Sequence, residues 1–208
     1  MPKPTEIVDF LLNGVDGLDR RDLEARLKFM RAEGLWPAAR RVDEREAEFV
    51  TEEHCTNLIL GLIGSNTATG APAATKAFSG LPYLGKTEVV DQAILFLTKH
   101  DEIPQTLGEF LARTIRSWRG ETRPVPDYLD TGDLLANHGD PCSVTLAFRD
   151  IGDAEPEPDK VVPYGFLILF GEQQQPLQRP RMKEYRSVNA SIIGVMAEFL
   201  GPTEDDAA

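Results

Sequence analysis

The hydrophobic period changes along this chain, and the change sets the order of its secondary structure. Up to about Gly120 apolar residues recur at spacings of three and four, as helices require. Beyond it, Pro124, Pro126, Gly132, Gly139 and Pro141 punctuate a loop region. Cys142 to Phe148 (CSVTLAF) then alternates, with Val144, Leu146 and Phe148 on one side, and Val161 to Phe170 (VVPYGFLILF) is a second strand-like run. The acidic, proline-containing stretch between them, DIGDAEPEPDK, suits a long loop joining an antiparallel pair. Helical spacing returns over about Met182 to Leu200, with Ile192, Ile193, Val195, Met196, Phe199 and Leu200 on its apolar side. The expected class is α+β, mostly helical, with a small antiparallel β-hairpin and a C-terminal helix. Two strands alone are marginal. The hairpin is therefore expected to pack on helices, namely the last one and the one spanning Thr106 to Arg119.

The helical part is punctuated by caps. Thr5 is placed to cap a short helix carrying Ile7, Val8, Phe10, Leu11 and Leu12, which Asn13-Gly14 and Asp16-Gly17 end. Asp19 suits the N-cap of a helix running to about Glu33, with Gly34 at its left-handed stop and Pro37 barring continuation. Leu23, Leu27 and Met30 form its core stripe, and Leu35 and Trp36 fold back beneath it. The connector RRVDEREAEFVTEE (Arg40 to Glu53) fits a loop, a frayed helix or a small wing. Thr51 then opens a helix to about Ile63, and Ala71 to Leu81 fits a short one. Thr87 opens another, with Ile94, Phe96 and Leu97 inward, and Thr106-x-x-Glu109 is a capping box. The expected organisation is a helical region over 1–82, helices plus hairpin and C-terminal helix over 83–200, and a disordered tail over 201–208.

Enzyme signatures are missing from the sequence. His54, His100 and His138 stand apart from one another, and His54-Cys55 are adjacent, which cannot place both on one helical face. Gly61-Leu-Ile-Gly64 lacks the preceding strand and third glycine of a dinucleotide loop. Asp127, Asp130, Asp133 and Asp140 lack the pattern of a calcium loop and read as solvated carboxylates. No catalytic residue, metal site or cofactor is expected, and the chain reads as a non-enzyme. The N-terminus does not resemble a secretory signal, and no apolar run approaches the roughly 18 residues of a membrane span. Cys55 and Cys142 are therefore expected to be reduced and buried in a cytoplasmic protein with no membrane partner.

One segment runs against the formal net charge of -12: Arg20 to Arg41 holds seven basic residues and three acidic ones. Arg20, Arg21, Lys28 and Arg31 fall on one arc of its helix, next to the apolar stripe, with Glu24 among them. A short helix precedes it, a glycine-containing break separates the two, and a third helix follows. That order fits a helix-turn-helix whose second helix enters the major groove. RLKFMRAEGLWPAARR also resembles the "Arg-Leu-x-x-Leu-Arg-x-Ala-Gly-Leu-Leu-Pro" stretch of small helical proteins encoded near bacterial prophages and gene-transfer-agent clusters. The likeness covers roughly the first 80 residues, with VTEEHCTNLILGLIGSNTATGAPAA in the place of the following helix. It implies a phage-type regulator with a helix-turn-helix-like, DNA-binding start. It adds Arg26, Arg40 and Arg41 to Lys28 and Arg31 as DNA contacts, whereas Asp43, Glu44, Glu46 and Glu48 make this connector acidic where the family's is often basic or glycine-rich. The expected function is DNA-binding transcriptional regulation, through groove insertion of the Arg20 to Glu33 helix and phosphate clamping by Arg40 and Arg41. The expected partners are double-stranded DNA and a second copy or another protein. The alternative is a non-enzymatic structural, adaptor or phage assembly protein working through protein–protein contacts.

Overall fold

The computed structural model describes residues 2–38, 49–84, 88–119, 132–137, 143–149, 164–171 and 185–202. Its helices are α1 (Ile7–Gly14), α2 (Arg20–Ala32), α3 (Glu52–Gly64), α4 (Ala71–Ser79), α5 (Glu88–Thr98), α6 (Leu107–Ser117) and α7 (Ser191–Leu200). Four strands, β1 (Gly132–Asn137), β2 (Ser143–Arg149), β3 (Tyr164–Gly171) and β4 (Tyr185–Asn189), lie between α6 and α7. The class is α+β, as the change of period predicts.

Helix ends follow local chemistry. Asp19 Oδ1 accepts from Asp22 N at 2.9 Å and opens α2. At the other end Gly34 N donates to Arg31 O (3.1 Å) and Leu35 N to Met30 O (2.9 Å), with Gly34 at φ +69°. This is a Schellman stop, which favours glycine at that position. The turn sends Trp36 into the core, 2% exposed. α1 departs from expectation: Glu6, not Thr5, occupies its N-cap, and its carboxylate accepts from Lys3 N at 3.0 Å. On α3 the capping box is closed by His54, whose Nδ1 accepts from Thr51 N at 3.2 Å. Gly64 on α3 answers a packing need: a Cβ there would stand 2.8 Å from Ala74 Cβ, so glycine lets α3 and α4 approach.

The sheet is larger than a hairpin. Its order is β3-β2-β1-β4, antiparallel throughout. Leu134, Leu146 and Ile168 align in one cross-strand row and Ala136, Val144 and Phe170 in the next, all fully buried. Burying a large apolar side chain contributes about 1.5–3 kcal/mol, so these rows hold the sheet to the helices. The sheet rests on α3 and α5, and Phe110 of α6 meets Phe170 with ring centroids 5.4 Å apart. The segment before α5 covers the outer edge of β3: Leu84 N donates to Leu169 O, and Gly171 N to Pro82 O. Met182 to Leu200 is not one helix. Tyr185–Asn189 pairs with β1, and Asn189 Oδ1 then accepts from Ser191 N at 2.7 Å where α7 begins.

α7 lies within the core beside α1, α3 and α6, and the Phe10 and Phe199 rings sit 5.3 Å apart. One cluster of buried side chains contains both Ile7 and Leu200, so the core is continuous across residue 82. Cys55 is buried and free, and Cys142 and the tail over 203–208 lie outside the described residues. Among the described residues no helix is long and apolar enough to cross a membrane.

Candidate functional site

The basic helix is the place to begin. α2 buries Leu23, Arg26, Leu27 and Met30, a face with the i, i+3, i+4, i+7 spacing of a core stripe. Arg26 is 0% exposed. Its Nε donates to Asp22 Oδ2 at 2.7 Å, and its Nη1 donates to Gly61 O at 2.8 Å and Ser65 O at 2.9 Å. Those carbonyls belong to the end of α3, where the helix dipole leaves partial negative charge. Arg26 therefore braces α2 against α3 and cannot reach a polyanion, which corrects its expected role as a DNA contact.

The remaining basic residues divide. Arg20 is exposed, yet its Nη2 lies 2.6 Å from Asp9 Oδ1 and its Nη1 3.7 Å from Glu24. The Asp9 hydrogen bond raises its pKa above the usual arginine value. Arg31 is half-buried, its Nε has no hydrogen-bond partner among the described residues, and desolvation lowers its pKa. Arg21 and Lys28 are exposed. At about 100° per residue they stand roughly 20° apart on the outer side of α2, about two turns from each other. Arg40 and Arg41 lie outside the described residues. The five described basic residues do not form one ridge: Arg26 is in the core, Arg20 is held by carboxylates, Arg31 is half-buried, and Arg21 and Lys28 face solvent.

A second patch was hidden in the sequence. Phe96 of α5, expected inward, is 57% exposed. Its ring lies 6.2 Å from that of Trp118, and Lys99 Nζ stands 4.2 Å from the Trp118 ring centroid. Trp118 is itself fixed, its Nε1 donating to Leu97 O at 2.9 Å. Ile94 and Leu97 take the buried side of α5, which leaves Phe96 turned outward. Apolar content alone put Phe96 with its neighbours; the choice among α5's apolar residues depended on where α6 packs.

The two described histidines fill local roles. His54 caps α3, and His100 Nδ1 accepts from Glu102 N at 3.3 Å. His138, Asp127, Asp130 and Asp140 lie outside the described residues. Among the described residues no group of three or more His, Cys, Asp or Glu side chains is placed to hold a metal ion. The Cys55 thiol is pushed far up by burial and has no ready access to its thiolate.

A cleft of about 650 Å³ opens where α3, α4 and α6 meet. It carries Thr56 and Ala112 among its lining residues. Comparison with protein-family models, with characterised proteins and with solved structures finds no match to this chain.

Proposed function

We propose that this chain is a non-enzymatic adaptor that works through protein–protein contacts. The observation that carries the reading is the Phe96, Trp118 and Lys99 patch: an exposed phenyl ring on a fixed indole with a cation over it. Aromatic side chains held by rigid neighbours are what interfaces use as anchors, because little ordering entropy remains to be lost on binding. A formal net charge of -12 opposes approach to nucleic acid. The burial of Arg26 and the pairing of Arg20 remove two of the cations that would offset it.

The second reading is a DNA-binding regulator of prophage or gene-transfer-agent type. It is favoured by Arg21 and Lys28, exposed together on the outer side of α2. One pair of measurements separates the two. Light scattering is expected to show an oligomer that Phe96→Ser returns to a monomer. A gel shift with genomic fragments at about 50 and 200 mM salt is expected to show no retarded band. A band that weakens steeply with salt and vanishes in the Arg21→Ala, Lys28→Ala variant would install the regulator in place of the adaptor.

A further inference from the structure

α2 ends with more positive charge than the fold uses. Arg20, Arg26, Arg113, Arg116 and Arg119 each stand between 2.5 and 3.6 Å from a carboxylate oxygen. Arg31 is the exception. It is half-buried and partly desolvated, yet it makes no ion pair or hydrogen bond among the described residues. Only its Nε is closed off from solvent; Nη1 and Nη2, the open end of the guanidinium fork, reach the surface. A partly desolvated cation without a partner is unfavourable. The chain does not lack carboxylates to supply one, with 34 acidic residues against 22 basic.

The carboxylates closest to Arg31 along the chain are engaged elsewhere. Asp22 lies 2.7 Å from Arg26, Glu24 lies 3.7 Å from Arg20, and Glu33 lies 2.8 Å from Lys76. Lys28, exposed and three residues before Arg31, makes no ion pair among the described residues either. Residues three apart on a helix have Cβ atoms about 5–6 Å from each other, and like charges at that spacing repel. An anion between the two would relieve that repulsion and supply the partner that Arg31 lacks.

The position on the helix narrows the anion. Lys28 and Arg31 occupy the last turns of α2, where free carbonyls and the dipole place negative charge. Phosphate sites use the opposite end of a helix, where backbone N–H groups point at the ligand. Two single positive charges beside a negative helix end suit a carboxylate better than a phosphate dianion or a duplex. The guanidinium fork also matches a carboxylate, with two parallel hydrogen bonds. The formal net charge of -12 opposes an acidic partner at long range, but at physiological ionic strength that field is screened beyond about 8 Å. We infer that the Lys28 and Arg31 side of α2 docks an acidic segment of a partner protein, with one carboxylate held by Arg31 Nη1 and Nη2 and Lys28 beside it. This contact belongs to α2 and does not rest on Phe96, so it goes beyond the adaptor patch on α5 and α6.

A fluorescein-labelled peptide of alternating glutamate and leucine is the probe, with binding to the full chain read by fluorescence anisotropy. Its glutamine analogue is the neutral comparator, and inorganic phosphate and a short DNA duplex are competitors. The glutamate peptide should bind saturably, more weakly at about 200 mM salt than at about 50 mM, and the glutamine analogue should not bind. Arg31→Met should weaken binding about tenfold or more, the scale of a charge-assisted hydrogen bond. The same variant should melt at or above the wild-type temperature, because an unpaired, half-buried charge is gone. Arg31→Lys should keep part of the binding, since it retains the charge and loses the fork. Arg21→Ala removes the same charge from the same helix, away from the fork, and should weaken binding by less than about threefold. The inference is overturned if the glutamate peptide does not bind, if the glutamine analogue binds as well, or if phosphate or the duplex displaces the probe at lower concentration than unlabelled peptide. It is equally overturned if Arg31→Met binds as wild type or melts below it, or if Arg21→Ala matches Arg31→Met. Phe96→Ser should leave peptide binding unchanged, which separates this result from the adaptor reading; loss of binding in that variant would move the peptide to the Phe96 patch and overturn the inference.

Discussion

Two arginines do the same work at the two ends of α3, one buried and one half-buried. Arg26 gives its guanidinium to Gly61 O and Ser65 O, at the end of α3. Arg119 gives its own to Gly201 O at 2.9 Å, Leu200 O at 3.5 Å and Pro202 O at 3.4 Å, at the end of α7. Each carries a carboxylate as well, Asp22 at 2.7 Å and Glu52 at 2.5 Å. Both exploit the negative end of a helix dipole. They differ in reach and in water. Arg26 is 0% exposed and takes its carboxylate from its own helix one turn away, whereas the Arg119 side chain is 10% exposed and joins the start of α3 to the end of α7. The comparison shows that an arginine can be the centre of a joint between helices, and that burial sets how much rests on it.

The largest effect expected from this comparison is at Arg26. Arg26→Ala leaves an apolar gap and strands two carbonyls at about 1–3 kcal/mol each, while the Asp22 carboxylate, 40% exposed, keeps its contact with water, so a loss of about 3–5 kcal/mol is expected. Urea unfolding followed by circular dichroism reads the change. Arg26→Lys should recover only part, because an ammonium cannot supply the fork that bonds Asp22 and the carbonyls together. A loss below about 1 kcal/mol in the alanine variant would mean that the end of α3 is held by other means, and the parallel with Arg119 would fail.

Arg119→Ala should cost less, about 2–3 kcal/mol, the scale of hydrogen bonds to a charged group. Its bond to Pro202 O is exposed, and Arg116 remains 3.6 Å from Glu52. This joint is also the one that acid should loosen. Burial pushes the Glu52 carboxyl up, but hydrogen bonds from its own backbone N–H and from Arg119, with the nearby Arg119 and Arg116 charges, outweigh that and leave its pKa below the usual glutamate value. A carboxylate depressed by folding contributes stability above its unfolded pKa of about 4.3, and the contribution is lost as pH falls through the folded value. Stability measured from pH 6 down to about pH 3 should therefore fall through that window. Glu52→Gln should flatten the fall, and an unchanged acid slope in that variant would remove the charge from the account of this joint.

The sequence foretold most helices because their caps and stops are local. Asp19, Gly34, Thr51 and Thr106 act within a few residues of themselves. β1 and β4 were missed for the opposite reason. GDLLAN and YRSVN are short, carry weak alternation, and become strands through pairing with each other and, for β1, with β2. Arg26 was legible and was misassigned: it shares the spacing of Leu23, Leu27 and Met30, and the family resemblance, not the helical period, moved it to the surface. The cleft was not legible at all. Thr56 and Ala112 line it from helices that only the fold brings together.

The smallest effect should come from the outward cations of α2. Arg21 and Lys28 are exposed and belong to neither joint, so replacing both by alanine should change stability by less than about 0.5 kcal/mol. Alanine is also the better helix former, which works against any small loss of solvation or charge pairing. The contrast with Arg26→Ala then lies within a single helix: two cations whose removal the fold hardly registers, and one, five residues from Arg21, whose removal should approach unfolding. If the double variant instead loses as much as Arg26→Ala, the division of α2 into a bracing side and a free side is wrong. If it loses nothing, any change it causes in DNA retardation or oligomeric state reports on binding alone, because the folded population is the same.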